Sequence, residues 1–195
     1  MDTHKEIFLM QQTYATLFSL ANKIQMKGDQ YFQSLTSRQF MAMIAILHLP
    51  EDETTLNNIA KKLGTSKQSV KQLITIIENK GYVTLVSSRK DKRAVNINIT
   101  ESGKQVMLEC SAKGLNFFGD LFKDFTTKEM ELLWELLKKM YRFDGEPQDD
   151  FEAEAALDIS AEQNEAQIRA LKEFERRRMR EKSESKSLKR SKRHE

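Results

Sequence analysis

Four side chains between residues 66 and 80 have the chemistry to read base edges. If the segment that begins at Ser66 is a helix with Val70, Leu73 and Ile77 turned to a core, the 100° step puts Gln68, Lys71, Gln72 and Thr75 on the opposite face. Gln bonds bidentately to adenine edges, Thr offers a hydroxyl and a methyl, and Lys reaches a guanine or a phosphate, so this face suits a major groove. Ser66, Lys67 and Ser69 open the same helix and complete the set. Alone, a polar helix face is a solvated surface; its context has to decide.

A second cluster follows in Arg89, Lys90, Asp91, Lys92 and Arg93, four cations in five residues. Asp91 stands two residues before Arg93, where its carboxylate can hold the guanidinium extended and aim it into a narrow, A·T-rich minor groove. The competing reading is a solvated surface pair, worth at most about 1 kcal/mol. So dense a group of like charges is costly without an anion beside it.

The rest of the chain offers little other chemistry. Cys110 is the single cysteine, and His4, His48 and His194 stand far apart, so neither a metal nor another cofactor is expected. No nucleophile–base pair, carboxylate pair or phosphate-cradling glycine loop has a usable spacing, which argues against an enzyme. No run of about 18 apolar residues marks a membrane span. Residues Met1 to Glu6 lack the layout of a secretory signal, and a cytoplasmic protein is expected.

The elements that position these groups follow from periodicity. Apolar residues recur at three- and four-residue steps from Ile7 to Ile24, predicting a long helix that ends near Gly28. Thr36 and Gln39 have the spacing of a capping box for a helix bearing Phe40, Met43, Ile44 and Leu47, which stops before Pro50. Thr55 caps a short helix over Leu56, Ile59, Ala60 and Leu63, and Gly64 turns the chain into the helix at Ser66, which ends at Gly81. Two short helices on a tight turn make a helix-turn-helix.

Tyr82 to Val86 and Ala94 to Ile99 read as the strands of a hairpin whose tip is the cationic cluster, in other words a wing. Thr100 caps a long helix, and Thr126 with Glu129 caps another bearing Met130, Leu133, Trp134, Leu137, Met140 and Tyr141. The expected fold is mainly α with a small β-hairpin wing, a winged helix-turn-helix.

Residues 1–143 form the expected domain, with a net charge of +5. Beyond it, residues 144–165 carry −9 and residues 166–195 carry +7. This tail lacks the apolar density of a core, although Glu165 with Arg169 and Glu173 with Arg177 have helical pair spacing; a mobile tail with helical tendency is expected. Its basic part suits phosphate tethering, its acidic part suits an internal brake on DNA binding, and a merely solvated tail accounts for both.

The order of the motifs resembles the MarR family of winged-helix regulators. The pattern is Thr36-x-x-Gln39, Thr55-x-x-x-Ile59-Ala60-x-x-Leu63-Gly64, Ser66-x-x-Ser69-Val70, Ile77-Glu78-x-Lys80-Gly81-Tyr82-Val83, Asp91-x-Arg93 and Ile99-Thr100-x-x-Gly103. The resemblance implies a homodimer whose long first and last helices form a dimerisation platform. It also implies two winged units on a pseudo-palindromic double-stranded DNA site, most often for repression, and relief by a small, often phenolic effector. Tyr14, Phe18, Phe40 and Met43 are candidates for an effector pocket, though apolar stripes of this kind usually form core. The chain departs from the family where Leu85 and Val86 replace a common wing arginine, and Cys110 lies outside the first helix, where redox-sensing members place the reactive thiol. The alternative class is a winged-helix interaction scaffold tethered nonspecifically to nucleic acid by the basic tail.

Overall fold

The computed structural model describes residues 2–88, 95–145, 151 and 160–191, with no side-chain description for residues 162 and 181–191. The chain forms α1 (Thr3–Tyr31), α2 (Ser37–Leu47), α3 (Leu56–Lys62), α4 (Lys67–Asn79), β1 (Val83–Ser87), β2 (Val95–Ile99), α5 (Glu101–Leu121), α6 (Thr127–Tyr141), a 3-10 turn (Arg142–Asp144) and α7 (Ala161–Ser191). The winged-helix architecture is the expected one.

Local chemistry sets the boundaries. Both expected capping boxes form, Thr36 with Gln39 and Thr126 with Glu129, each side chain satisfying a free backbone donor of the other residue. At the α3–α4 turn Gly64 adopts φ +59°, and the N–H groups of Gly64 and Thr65 donate back to the carbonyls of Lys61 and Ala60 at 3.1 and 3.0 Å. That closure requires a left-handed residue, which glycine supplies without a steric penalty. Helix α1 starts earlier than Ile7 and runs past Gly28, which does not stop it. Gly28 instead marks the close approach of α1 to α2, since a Cβ there would stand 2.4 Å from Ser37 Oγ.

The core lies under the winged unit, where Met43, Ile59, Val70, Ile77, Ile97 and Met107 are almost fully buried. The strands pair antiparallel from Val83 with Ile99 to Ser87 with Val95. The loop before α3 adds a short third rung, with Thr55 bridging Asn96 and the Ile97 N–H donating to Thr54. Helix α5 leaves the hairpin through a crowded joint. Thr100 Oγ1 donates to the Gly81 carbonyl at 2.7 Å, and a Cβ on Gly103 would stand 2.1 Å from the Tyr82 carbonyl oxygen. This packing explains the Thr-x-x-Gly spacing at the start of α5.

Farther along, α5 packs against α1 through Tyr31 and Phe117, whose rings lie 5.3 Å apart. The N-terminal half of α1 and all of α6 expose large apolar residues, among them Phe8, Tyr14, Phe18, Trp134, Leu137 and Met140.

The helical tendency expected of the tail is seen after residue 160. This segment forms a 31-residue helix, α7, packed along α5. Phe174 is half-buried against Gly119 of α5, Arg177 pairs with Asp120, and Arg178 donates to the Phe122 carbonyl, contacts that composition does not reveal.

Candidate nucleic-acid interface

Helix α4 has two faces fixed by packing. Val70, Ile74 and Ile77 are buried and Leu73 is half-buried, while Lys67, Gln68, Lys71, Gln72 and Thr75 are exposed along the other side. The structure thus brings the expected reading residues onto one accessible face. Ser66 and Ser69 play a different part. Ser66 Oγ accepts the Ser69 N–H at 3.2 Å and lies 3.0 Å from the Ser69 hydroxyl, so both are engaged in starting the helix. Thr75 donates its hydroxyl to the Lys71 carbonyl at 3.0 Å, leaving its methyl and oxygen lone pairs facing out.

Ile76 escaped the sequence reading. It is 44% exposed and flanks Gln72, one turn earlier on α4. An apolar side chain at a groove-facing edge suits a thymine methyl. The signal was available, because Leu73, Ile74, Ile76 and Ile77 are more apolar residues than one buried stripe can take.

The hairpin extends to the Ser87–Val95 rung. The cationic tip, Arg89, Lys90, Asp91, Lys92 and Arg93, lies outside the described residues. Leu85 and Val86, which stand where a wing arginine is common, are exposed.

The four residues considered for an effector pocket do not come together. Met43 is fully buried in the core, and Tyr14 and Phe18 are 70% and 68% exposed on the unpartnered half of α1. Only Phe40 of the four lines a groove of about 430 Å³ between α2, α5 and α7, with Ile44, Leu115, Phe118, Ala170 and Leu171 among its other apolar walls. Periodicity identified apolar stripes but could not say which of them face each other.

Cys110 is buried in the core, and burial pushes its thiol above the usual range. Among the described residues no helix is long and apolar enough to cross a membrane.

The comparisons agree with this geometry. The MarR family model matches residues 33–94, from just before α2 to the end of the wing loop. The transcriptional activatory protein BadR of Rhodopseudomonas palustris is 26% identical over 145 residues, spanning 70% of this chain and 82% of its own length. A MarR/EmrR family transcriptional regulator from Acinetobacter sp. ADP1 superposes with a TM-score of 0.61 at 26% identity, covering 70% of this chain and 97% of that one. The S. aureus MepR–DNA complex gives a TM-score of 0.59 at 24% identity, covering 66% and 96%. Residues 33–94 match the MarR family, and most of the chain is similar to winged-helix, DNA-binding transcriptional regulators of that type.

Proposed function

We propose that the protein works as a homodimer that reads a pseudo-palindromic promoter site through α4 and represses transcription by occupying it. The exposed face of α4 carries the reading, because its rotation is fixed by the buried Val70, Ile74 and Ile77. Gln68, Gln72 and Lys71 act as base and phosphate contacts, with Thr75 and Ile76 offering methyl groups. Arg89, Lys90, Lys92 and Arg93 contact flanking phosphates or the minor groove, with Asp91 orienting Arg93. The exposed apolar faces of α1 and α6 support a second copy of this chain as their cover. BadR is named an activatory protein, so the sign of regulation belongs to where the site lies in the promoter.

The groove between α2, α5 and α7 suits a small apolar or aromatic effector, with Phe40 and Phe118 as ring partners. An effector that binds this folded form at 100 times its Kd should add about 2.7 kcal/mol of stability, read as a rise in Tm. Release of the selected duplex by the same compound would tie the groove to regulation; a Tm rise with no release would make it a bystander site.

The deciding experiment is selection of duplexes from a random double-stranded library at near-physiological salt. An inverted repeat with half-sites about one helical turn apart is expected. Bound DNA without a motif, whose affinity collapses with salt, would overturn the reading.

A further inference from the structure

Helix α7 lies outside the residues that the family model matches, and its contacts fix its course. Gln163 Nε2 donates to Gln105 Oε1 at 3.0 Å, near the start of α5. Phe174 packs on Gly119, where a Cβ would stand 3.5 Å from the ring. Arg177 pairs with Asp120, and Arg178 Nη1 donates to the Phe122 carbonyl at 2.7 Å, just past the end of α5. The contacts advance together along both helices, so α7 runs parallel to α5. The thirteen helical residues after Arg178 then extend about 20 Å past the end of α5.

This docking also fixes the face that α7 shows to solvent. Gln163, Ala170, Phe174, Arg177 and Arg178 fall on one side of the helix and touch or face α5. Arg169, Lys172, Arg176 and Arg180 fall on the opposite side, within an arc of about 80°, and all four are exposed. Glu173 flanks this stripe 3.6 Å from Arg176, and Glu165 lies at its start. Exposed pairs of that kind are worth little and yield to a polyanion. From Arg176 onward the sequence carries ten Lys and Arg against three Asp and Glu.

We propose that the solvent face of α7 is a second, sequence-independent seat for duplex DNA. The protein would then hold one duplex at α4 and another along α7. Its four cations span about 17 Å, a length over which one strand presents about five phosphates. Among the described side chains of α7 only Ile168, Leu171 and Met179 are large, apolar and exposed, too few for the broad apolar face that burial in a lipid surface needs. Helix α5 carries the chain about 30 Å from the base of the wing before the basic end of α7 begins, well beyond the ~12 Å width of a groove entered by α4. A second seat on α7 stands whether or not α4 reads sequence; only the simultaneous grip on two duplexes rests on that reading.

Two measurements on the full-length protein test it, each made also on the variant R169Q/K172Q/R176Q/R180Q, whose sites lie off the docked face. The first is affinity for a 30-bp duplex of arbitrary sequence against salt. Removing one phosphate-binding cation should shallow the log–log slope by about 0.9, so the quadruple variant should shallow it by about 3 to 4. An unchanged slope overturns the proposal even if no preferred site for α4 is ever found. The second is capture of that duplex, fluorescently labelled, by protein held on beads carrying the duplex recovered by selection. Wild type should capture it and the variant should capture at least tenfold less, with retention on the beads changed less than threefold. Absence of capture by wild type, equal capture by the variant, or parallel loss of bead binding would each overturn a separate duplex seat. So would displacement by single-stranded RNA of equal length at lower concentration than by duplex.

Discussion

Gln68 and Gln72 stand one turn apart on the exposed side of α4, where neither is needed by the core. Gln72→Ala should therefore leave stability unchanged, cost about 1 to 3 kcal/mol of affinity for the selected duplex, and relax discrimination at one base pair per half-site. Electrophoretic titration against single-base variants of that duplex checks both parts; uniform weakening across all variants would assign Gln72 to the backbone instead. Gly103 is the opposite case. With a Cβ at 2.1 Å from the Tyr82 carbonyl, Gly103→Ala must displace backbone and should lower stability by at least about 2 kcal/mol, measurable by denaturant titration. Cys110 should resist iodoacetamide in the native protein at a pH where a free thiol reacts, because burial keeps it protonated. The exposed face of α4 was legible because a core stripe at Val70 and Ile77 dictates the rotation of everything between. The scattering of Tyr14, Phe18 and Met43 was not, because periodicity within a helix carries no information about which helices meet.

Among the elements, the caps and the helical tendency of α7 were visible in the sequence, and the docking of α7 on α5 was not. Thr36, Thr55, Ser66, Thr100 and Thr126 each accept the backbone N–H of the residue three positions on, a local chemistry that spacing records. The partners of α7 are far away in sequence. Asp120 receives both the Tyr31 hydroxyl and the Arg177 guanidinium, joining α1, α5 and α7 at one carboxylate. Asp120→Ala should raise hydrogen exchange in residues 163–178 while leaving α4 protected, and equal protection in both proteins would show that apolar burial alone docks α7. The hydrogen bond to Asp120 raises the Tyr31 pKa above its ordinary value. This contribution is complete below the pKa of an unfolded tyrosine and is lost as pH rises through the raised folded value. The Tyr31→Phe variant should therefore lack the part of the alkaline loss of α1–α5 protection in hydrogen exchange that wild type shows.

At the scale of the molecule, the winged unit buries its apolar stripes, and the exposed faces of α1 and α6 do not. Trp134 and Leu137 on α6 are exposed, as are Phe8 and Phe18 on α1, although helices of their length normally bury an apolar stripe. Sedimentation should show a dimer for wild type and a shift to monomer for Leu137→Glu, and the monomer should bind a half-site far more weakly than the dimer binds a full one. A Leu137→Glu protein that remained a dimer would move the interface off α6.

The parallel course of α7 also has a bearing on synthesis. Because it follows α6 yet lies alongside α5, the strip of α5 containing Leu115, Phe118 and Gly119 receives its cover only after most of the chain has been made. N-terminal units fold first as a polypeptide emerges, so for that interval the winged unit exists with an uncovered apolar strip. Ribosomes that stall between α6 and α7 would thus present a folded DNA-binding unit that is also a substrate for chaperones.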